Sequence, residues 1–495
     1  MADARDGPGS DHDGLRIRAR HLPAPTRGER ARRGTQIARV LTRRLGPVVA
    51  DEAVHRRNGS AAMAAAARPL RLAFEDLGGT FVKFGQLVAS SPGLFGADLA
   101  EEFRSCLDTG PAVPYAEVAA LVEDELGLRV DEAFAWFDPI PVGRASIAVV
   151  HRARLHDGRD VAVKVLRPGV DRSVATDLSL MEPLFDVLTR ATGAQLAGAM
   201  LQQLDGLRLQ IGEELDLRNE ARAMAAFGGL LASSGFDALV VPDPVPERSS
   251  ASVLTMSYLD GVPIDDLERA KELGVDPAPL VDQLIRSFFT FVVRDRVFHG
   301  DVHAGNLLLL RDGRLGLLDW GIVGRLDERT HRFVLRLLTA VLGDEQAWRD
   351  VTAYLVEIYG NQLRDAMRMD DEQLTAFLRS MVEPVLLRPF GEFSLGELIV
   401  AAEARAAEAY GIELRREGMV GAVQRLRVQR RLRRAAVEGG GLMSTFDRAN
   451  FLLGKQLMYF ERYGKLFLAD APILQDRAFV AGLLDEQGEP HPDVA

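Results

Sequence analysis

The chain has 495 residues, 47% of them hydrophobic, and a formal net charge of −11, a soluble globular balance with room for two or three lobes. The acidic balance argues against a nucleic-acid binder, which would need clustered Lys and Arg against phosphates. A single cysteine, Cys106, excludes an intramolecular disulfide and fits a reducing cytoplasm, and nine scattered histidines show no zinc-ligand spacing.

In chain order, residues 1–35 mix Asp, Arg, Gly and Pro with no apolar h-region, so they read as a disordered tail and not as a signal peptide. Residues 36–120 form a helical extension, with amphipathic runs at Gln36–Leu45 and Ala61–Leu77 and a break at Gly78-Gly79. Residues 121–260 are a small β-rich lobe with inserted helices. Its strand signals begin near Val142, and Ile147–Leu155 and Asp160–Leu166 make a hairpin around His156-Asp157-Gly158. Helical periodicity then runs over 175–233, followed by short strands at Leu239–Val241 and Val253–Ser257. Residues 261–487 are a mainly helical lobe, with an apolar helix at Pro279–Arg294 and two strand-like runs, Leu307–Leu310 and Leu315–Leu318, around Asp312-Gly313. Residues 488–495 are a flexible tail. Apolar windows such as Leu284–Val293 stop well short of the ~20 residues a membrane span needs.

The most informative stretch is His299-Gly300-Asp301-Val302-His303-Ala304-Gly305-Asn306, followed thirteen residues after its asparagine by Asp319-Trp320-Gly321. Kinase-type phosphoryl transfer needs an aspartate near the acceptor, an asparagine five residues on, and a second aspartate that holds Mg²⁺ against the phosphates. Asp301, Asn306 and Asp319 have that order and spacing, with Trp320 in place of the usual phenylalanine. His299 and His303 stand at i and i+4, a metal-binding spacing on a helix, but Gly300 and Gly305 indicate a loop.

Upstream, Val161-Ala162-Val163-Lys164 matches the kinase strand whose lysine sits beside the α and β phosphates and is held by a helix carboxylate. Glu213, Glu214, Asp216 and Glu220 are the candidates, and Glu214 and Glu220, six apart, cannot both point directly at one lysine. The preceding loop, Gly143-Arg144-Ala145-Ser146, lacks G-x-G-x-x-G, so its approach to phosphates is unusual. Val253–Gly261 has the character of a strand entering a hinge, with Met256 to Tyr258 lining an adenine pocket.

Lys83-Phe84-Gly85-Gln86 resembles the K-x-G-Q signature of the UbiB/AarF family of atypical kinases, which are tied to ubiquinone and other isoprenoid-quinone lipids. Glu214-Leu215-Asp216 is similar to that family's E-x-D, Glu220 falls on its helix glutamate, and Phe298–Asn306 resembles its F-H-A-D-x-H-P-G-N. The similarity runs from about Thr80 to Arg325 and more faintly over Phe451–Leu466. It implies an α+β, bilobal protein-kinase-like fold with an N-terminal helical extension and a helical C-terminal lobe, using ATP and Mg²⁺. It further implies that Lys164 pairs with Glu220 and contacts phosphates, Asn306 and Asp319 bind Mg²⁺, and Asp301 is the catalytic-loop carboxylate. Lys83, Gln86, Glu214 and Asp216 would belong to an extension lying where a protein substrate otherwise docks.

The sequence agrees independently that peptide docking is disfavoured, because Asp319-Trp320-Gly321 passes almost directly into a helix near Asp327 with no A-P-E segment. Departures from the family pattern are Gly143-Arg144 in an otherwise alanine-rich loop, Val149 where glutamine is common, and Gly300, Val302 and Ala304 in the catalytic loop. The resulting expectation is an ATPase or a small-molecule or lipid kinase supporting isoprenoid-quinone or membrane-lipid metabolism. The alternatives are a true protein serine/threonine kinase and a non-catalytic nucleotide-binding scaffold. The partners it implies are a nucleotide and an isoprenoid lipid or quinone precursor, with no nucleic acid. Arg-rich stretches at Arg27–Arg44 and Arg425–Arg434, the first with Leu41 and Leu45, read either as solvated helix faces or, since the family's ligands are membrane lipids, as peripheral contact of a cytoplasmic protein with an anionic membrane surface.

Overall fold

The computed structural model describes residues 17–55, 59–90, 97–103, 105, 110, 112–192, 204, 206–359, 369–392, 394, 448–474 and 476–488. Arg425–Arg434 and Cys106 lie outside the described residues. The chain divides into two compact units, one of residues up to Gly228 with Pro242–Tyr258, the other of Gly229–Val241 with Leu259 onward.

In the first unit, strands β1 (Trp136–Arg144), β2 (Ala148–Arg154), β3 (Asp160–Leu166) and β5 (Val253–Ser257) form an antiparallel sheet in the order β1-β2-β3-β5. The hairpin turn takes Gly158 to φ 93°, a conformation that glycine adopts without strain. β1 starts at Trp136, earlier than the strand signals suggest, because Pro139 and Pro141 disguise it. Both prolines are tolerated because β1 is an edge strand and its register shifts around Pro141. One face of the sheet is closed by the helix Tyr115–Leu126: Val118, Val122, Phe134, Phe137, Val149, Val161, Val163 and Val165 make a single buried cluster.

The extension is helical over Arg27–His55, Gly59–Leu77, Gly79–Ser90 and Ala97–Phe103, with Gly78 at φ 67° and Gly79 at φ 45° at the break. The expectation of disorder over 1–35 is corrected in its second half. The first helix starts at Arg27, and before it the Arg18 N–H donates to Asn219 Oδ1 at 2.9 Å and the Arg20 N–H to the Gly212 carbonyl at 2.7 Å. Long-range backbone pairing of this kind cannot be seen in composition.

In the second unit, β4 (Leu239–Val240), β9 (Leu315–Leu317), β8 (Leu307–Leu310) and β6 (Gly261–Pro263) form a sheet in that order, and β7 (Val297–His299) pairs with β10 (Val323–Arg325). The helix Pro277–Arg294 begins with an Asp276 cap and Pro277 in its first turn, and buries Leu284, Phe288, Phe291 and Val292. Further helices are Glu328–Val341, Glu345–Tyr359, Asp371–Leu387, Arg448–Phe467 and Arg477–Glu486. Among the described residues no helix is long and apolar enough to cross a membrane.

Candidate functional site

Strand alternation decides which way Lys164 faces. Val161, Val163 and Val165 enter the cluster under the helix Tyr115–Leu126, which leaves Ala162 and Lys164 on the opposite face. There the Lys164 ammonium donates to both Glu220 oxygens, at 2.9 and 2.8 Å, with the two side chains only 13% and 4% exposed. Glu220 lies in the first turn of the helix Leu217–Ser233, whose Leu217 N–H is tied to the Ala251 carbonyl beside β5 at 2.9 Å.

The other carboxylates of the group have separate partners. Glu214 meets Lys83 at 2.8 Å, and Asp216 meets Arg218 at 2.7 Å. Burial would raise the pKa of Asp216, but the Arg218 guanidinium overrides it and holds the carboxyl below its ordinary value. Glu213 is buried, and its carbonyl accepts from Asn219 Nδ2 at 2.8 Å. Gln86 lies three residues beyond Lys83, one turn on along the helix Gly79–Ser90.

The loop Gly143-Arg144-Ala145-Ser146 is pinned. The Ala145 N–H donates to the Ala148 carbonyl at 2.9 Å, while Arg167 donates its Nε to the Ala145 carbonyl at 2.9 Å and its backbone N–H to the Ile147 carbonyl at 2.8 Å. A side chain at Gly143 would meet only ordinary contacts with Val150, so that glycine is not sterically required. Val149 belongs to the apolar cluster on the face away from Lys164, so it serves packing there. Met256 is buried in β5 opposite Ala162, and Tyr258, with Arg152 4.5 Å over its ring, is the last residue before the chain passes to the second unit.

In the second unit the loop Gly300–Asn306 and Asp319-Trp320-Gly321 lock together. The Gly300 N–H donates to the Ile322 carbonyl at 2.9 Å, and the Leu318 N–H to the Asn306 carbonyl at 2.8 Å. His299 is a spacer between them: its Nδ1 accepts the Asp301 N–H at 3.0 Å, its Nε2 meets the Leu318 carbonyl at 3.1 Å, and its ring lies 4.3 Å from that of Trp320. Burial pushes the His299 pKa down, so the imidazole stays neutral with Nε2 as donor. His303 caps a 3-10 turn through Nδ1, accepting the Gly305 N–H at 3.0 Å, so the two histidines serve the loop and are not a helical metal pair.

Asp319 has φ 49°, the left-handed region, and its Oδ1 accepts the Gly321 N–H at 3.2 Å. A non-glycine residue held there is a strain that tight surroundings must enforce, and such residues gather at functional sites. Asn306 donates Nδ2 to the Asp301 carbonyl at 2.9 Å, which leaves its amide oxygen as the ligand it can offer. A carboxylate and an amide oxygen suit Mg²⁺, which completes its shell with phosphate oxygens and water. Among the described residues no cluster of three or more His, Cys, Asp or Glu could hold a metal alone.

Asp301 is engaged from the helix Arg448–Phe467, whose likeness to the family is only faint. Its Oδ1 accepts from Lys455 Nζ at 2.7 Å and Tyr459 OH at 3.2 Å, and Tyr463 OH donates to the Val302 carbonyl at 2.7 Å. Burial would raise the Asp301 pKa, but the Lys455 ammonium beside it holds the carboxyl below its ordinary value. Burial and the nearby Asp301 push the Tyr459 phenol up, so it remains a donor. The available signal was the i, i+4, i+8 spacing of Lys455, Tyr459 and Tyr463 on one helix face. Arg167 was also missed; it directly follows β3.

The cationic face read at Arg27–Arg44 is partly neutralised internally. Arg33 is bound to buried Asp177 at 2.6 Å, and Arg43 and Arg44 each meet Asp76 at 2.7 Å.

A sheet carrying a lysine held by a helix glutamate, and a loop carrying Asp301, Asn306 and a left-handed Asp319, define a protein of the kinase-like class. Residues 105–351 match the ABC1 atypical kinase-like domain. An uncharacterized chloroplastic aarF domain-containing protein kinase of Arabidopsis thaliana is 32% identical over 82% of this chain and 73% of its own length. An uncharacterized protein of Mycobacterium tuberculosis is 33% identical over 81% and 75%, and the probable protein kinase UbiB of Xylella fastidiosa 29% over 75% and 65%. The chain belongs to the UbiB/aarF family of ABC1 atypical kinases.

Proposed function

We propose that this protein binds Mg-ATP and transfers or hydrolyses its terminal phosphoryl group, acting on a small molecule or lipid, in support of isoprenoid-quinone or membrane-lipid metabolism. The observation that carries the reading is the bidentate Lys164–Glu220 pair, because an ammonium held in this way is ready for the α and β phosphates without further ordering. Asn306 and Asp319 would hold Mg²⁺, which supplies neutralisation of phosphate charge, and Asp301 would face the acceptor.

A small acceptor is favoured over a peptide by the segment after Asp319. It is occupied by the Gly321 turn, by β10 paired to β7, and by Asp327 capping the helix at Glu328, which leaves no long docking loop. The link to quinone and membrane lipids, and peripheral contact with a membrane surface, rest on the family resemblance. Mg-ATP binding and phosphate release, measured on the wild type and on Asp319→Asn, test the nucleotide reading. Loss of Mg-dependent binding is expected; binding unchanged by the substitution would refute it. Nucleotide binding without release would instead select the scaffold, and rapid labelling of peptides the protein kinase.

A further inference from the structure

Resting on that nucleotide reading, we infer that Lys455 is a further catalytic residue: its ammonium faces the terminal phosphate and supplies the positive charge that the catalytic loop itself lacks. Between Asp301 and Asn306 the loop carries Val302, His303, Ala304 and Gly305, with neither Lys nor Arg. The charge that accumulates on a phosphoryl group in flight must be met by cations fixed in advance. Lys455 is such a cation, brought from 154 residues away to 2.7 Å from the carboxylate nearest the acceptor.

Three features show that this placement is built. Lys455 and Tyr459 share the same Asp301 oxygen, so the ammonium is held by a carboxylate that is itself fixed by a second donor. Tyr463, one further turn along, is fully buried and grips the Val302 carbonyl, which locks the helix Arg448–Phe467 to the loop. Finally, Lys455 and Asp301 remain 23% and 21% exposed, so the pair is reachable from solvent and is not a sealed structural ion pair. An ammonium has three N–H donors, and one directed at Asp301 leaves two for a phosphate. In the transfer, the bond between the terminal phosphorus and its bridging oxygen breaks and a bond to the acceptor oxygen forms. The acceptor proton leaves to Asp301 or to water, while Lys455 stays charged throughout and donates hydrogen bonds to the phosphoryl oxygens.

The test compares Mg-ADP with a non-hydrolysable Mg-ATP analogue by calorimetry, on the full chain, in the wild type, Lys455→Gln and Lys455→Arg, together with phosphate release. Gln keeps a donor for Asp301 but removes the charge; Arg keeps the charge. The expectation is that Gln leaves ADP affinity within about twofold, abolishes the preference for the triphosphate analogue, and lowers any turnover roughly 100-fold. Arg should retain most of that preference, and it remains informative if the Gln variant fails to fold. A wild type with no preference for the triphosphate, or a Gln variant that keeps it, overturns the role of Lys455 while leaving nucleotide binding intact. A wild type that binds neither nucleotide removes the underlying reading and this inference with it.

Discussion

Lys164 and Glu220 are held in a closed two-point contact, both carboxylate oxygens lying within 2.9 Å of one ammonium in surroundings that expose only 13% and 4% of the two side chains. Losing one member of a shielded pair costs far more than losing both, because it strands the other charge. Glu220→Ala is therefore expected to destabilise the protein by about 3 kcal/mol, and Lys164→Met/Glu220→Leu by much less. Urea unfolding of the two variants measures this. Equal losses would mean that the pair is too well solvated to matter.

Arg167 fixes the loop that leads into β2, through Nε on the Ala145 carbonyl and its own N–H on the Ile147 carbonyl. Arg167→Ala removes the charged hydrogen bond and keeps the backbone one, a loss of about 1.5 kcal/mol or more from that loop's local stability. Amide hydrogen exchange across Ala145–Ala148 should speed up roughly tenfold with the rest of the sheet unchanged. Unaltered exchange would show that β-pairing alone holds the loop.

That Asp301, Asn306 and Asp319 come together was legible in the sequence because their geometry is local: five and thirteen residues separate groups that one loop and one hairpin bring together. Lys164 was legible because Val161-Ala162-Val163-Lys164 matches the kinase strand lysine ahead of Asp301, Asn306 and Asp319. Among Glu213, Glu214, Asp216 and Glu220, helical spacing excluded only that Glu214 and Glu220 both serve Lys164, and the family resemblance pointed to Glu220; Lys83 and Arg218 occupy Glu214 and Asp216. The grip of Lys455, Tyr459 and Tyr463 on the loop was not legible, since a lysine on an amphipathic helix looks the same whether it meets water or a carboxylate 154 residues away. β1 was half hidden for a different reason. Prolines count against a strand unless its edge position is known, and edge position is a property of the sheet.

Asp160 ties the start of β3 to β2, accepting from Arg154 Nε at 2.7 Å and Arg152 Nη2 at 2.6 Å. Those guanidiniums, Arg154 first and then Arg152, draw its pKa from 3.8 to about 2. The folded value lies below the unfolded one, so this contribution to stability is complete above about pH 4 and disappears as the pH falls through about 2. Asp160→Asn should flatten the acid limb of a stability-versus-pH curve in that window and leave the slope above it unchanged. A wild-type limb that survives the substitution would assign acid sensitivity to other carboxylates.

Gly300 is held to glycine by its neighbours. A Cβ there would come within 2.7 Å of Ile322 Cγ2 and 3.0 Å of the Ile322 carbonyl, the same carbonyl that the Gly300 N–H binds at 2.9 Å. The methyl could turn aside, but the carbonyl cannot move without breaking the link between the catalytic loop and the segment after Asp319. At Gly324 the obstacle is the ring of Phe298, which lies directly over the glycine in the paired strand. Gly300→Ala is expected to cost about 1–3 kcal/mol and Gly324→Ala more, since the added methyl would overlap the Phe298 ring more deeply than it would the atoms of Ile322. Phe298→Leu should recover part of the second loss and none of the first. Guanidinium midpoints of the single and double variants decide it: a neutral Gly300→Ala would mean that this loop has room for a methyl group, and that the glycine reflects nothing about how tightly Asp301 is set.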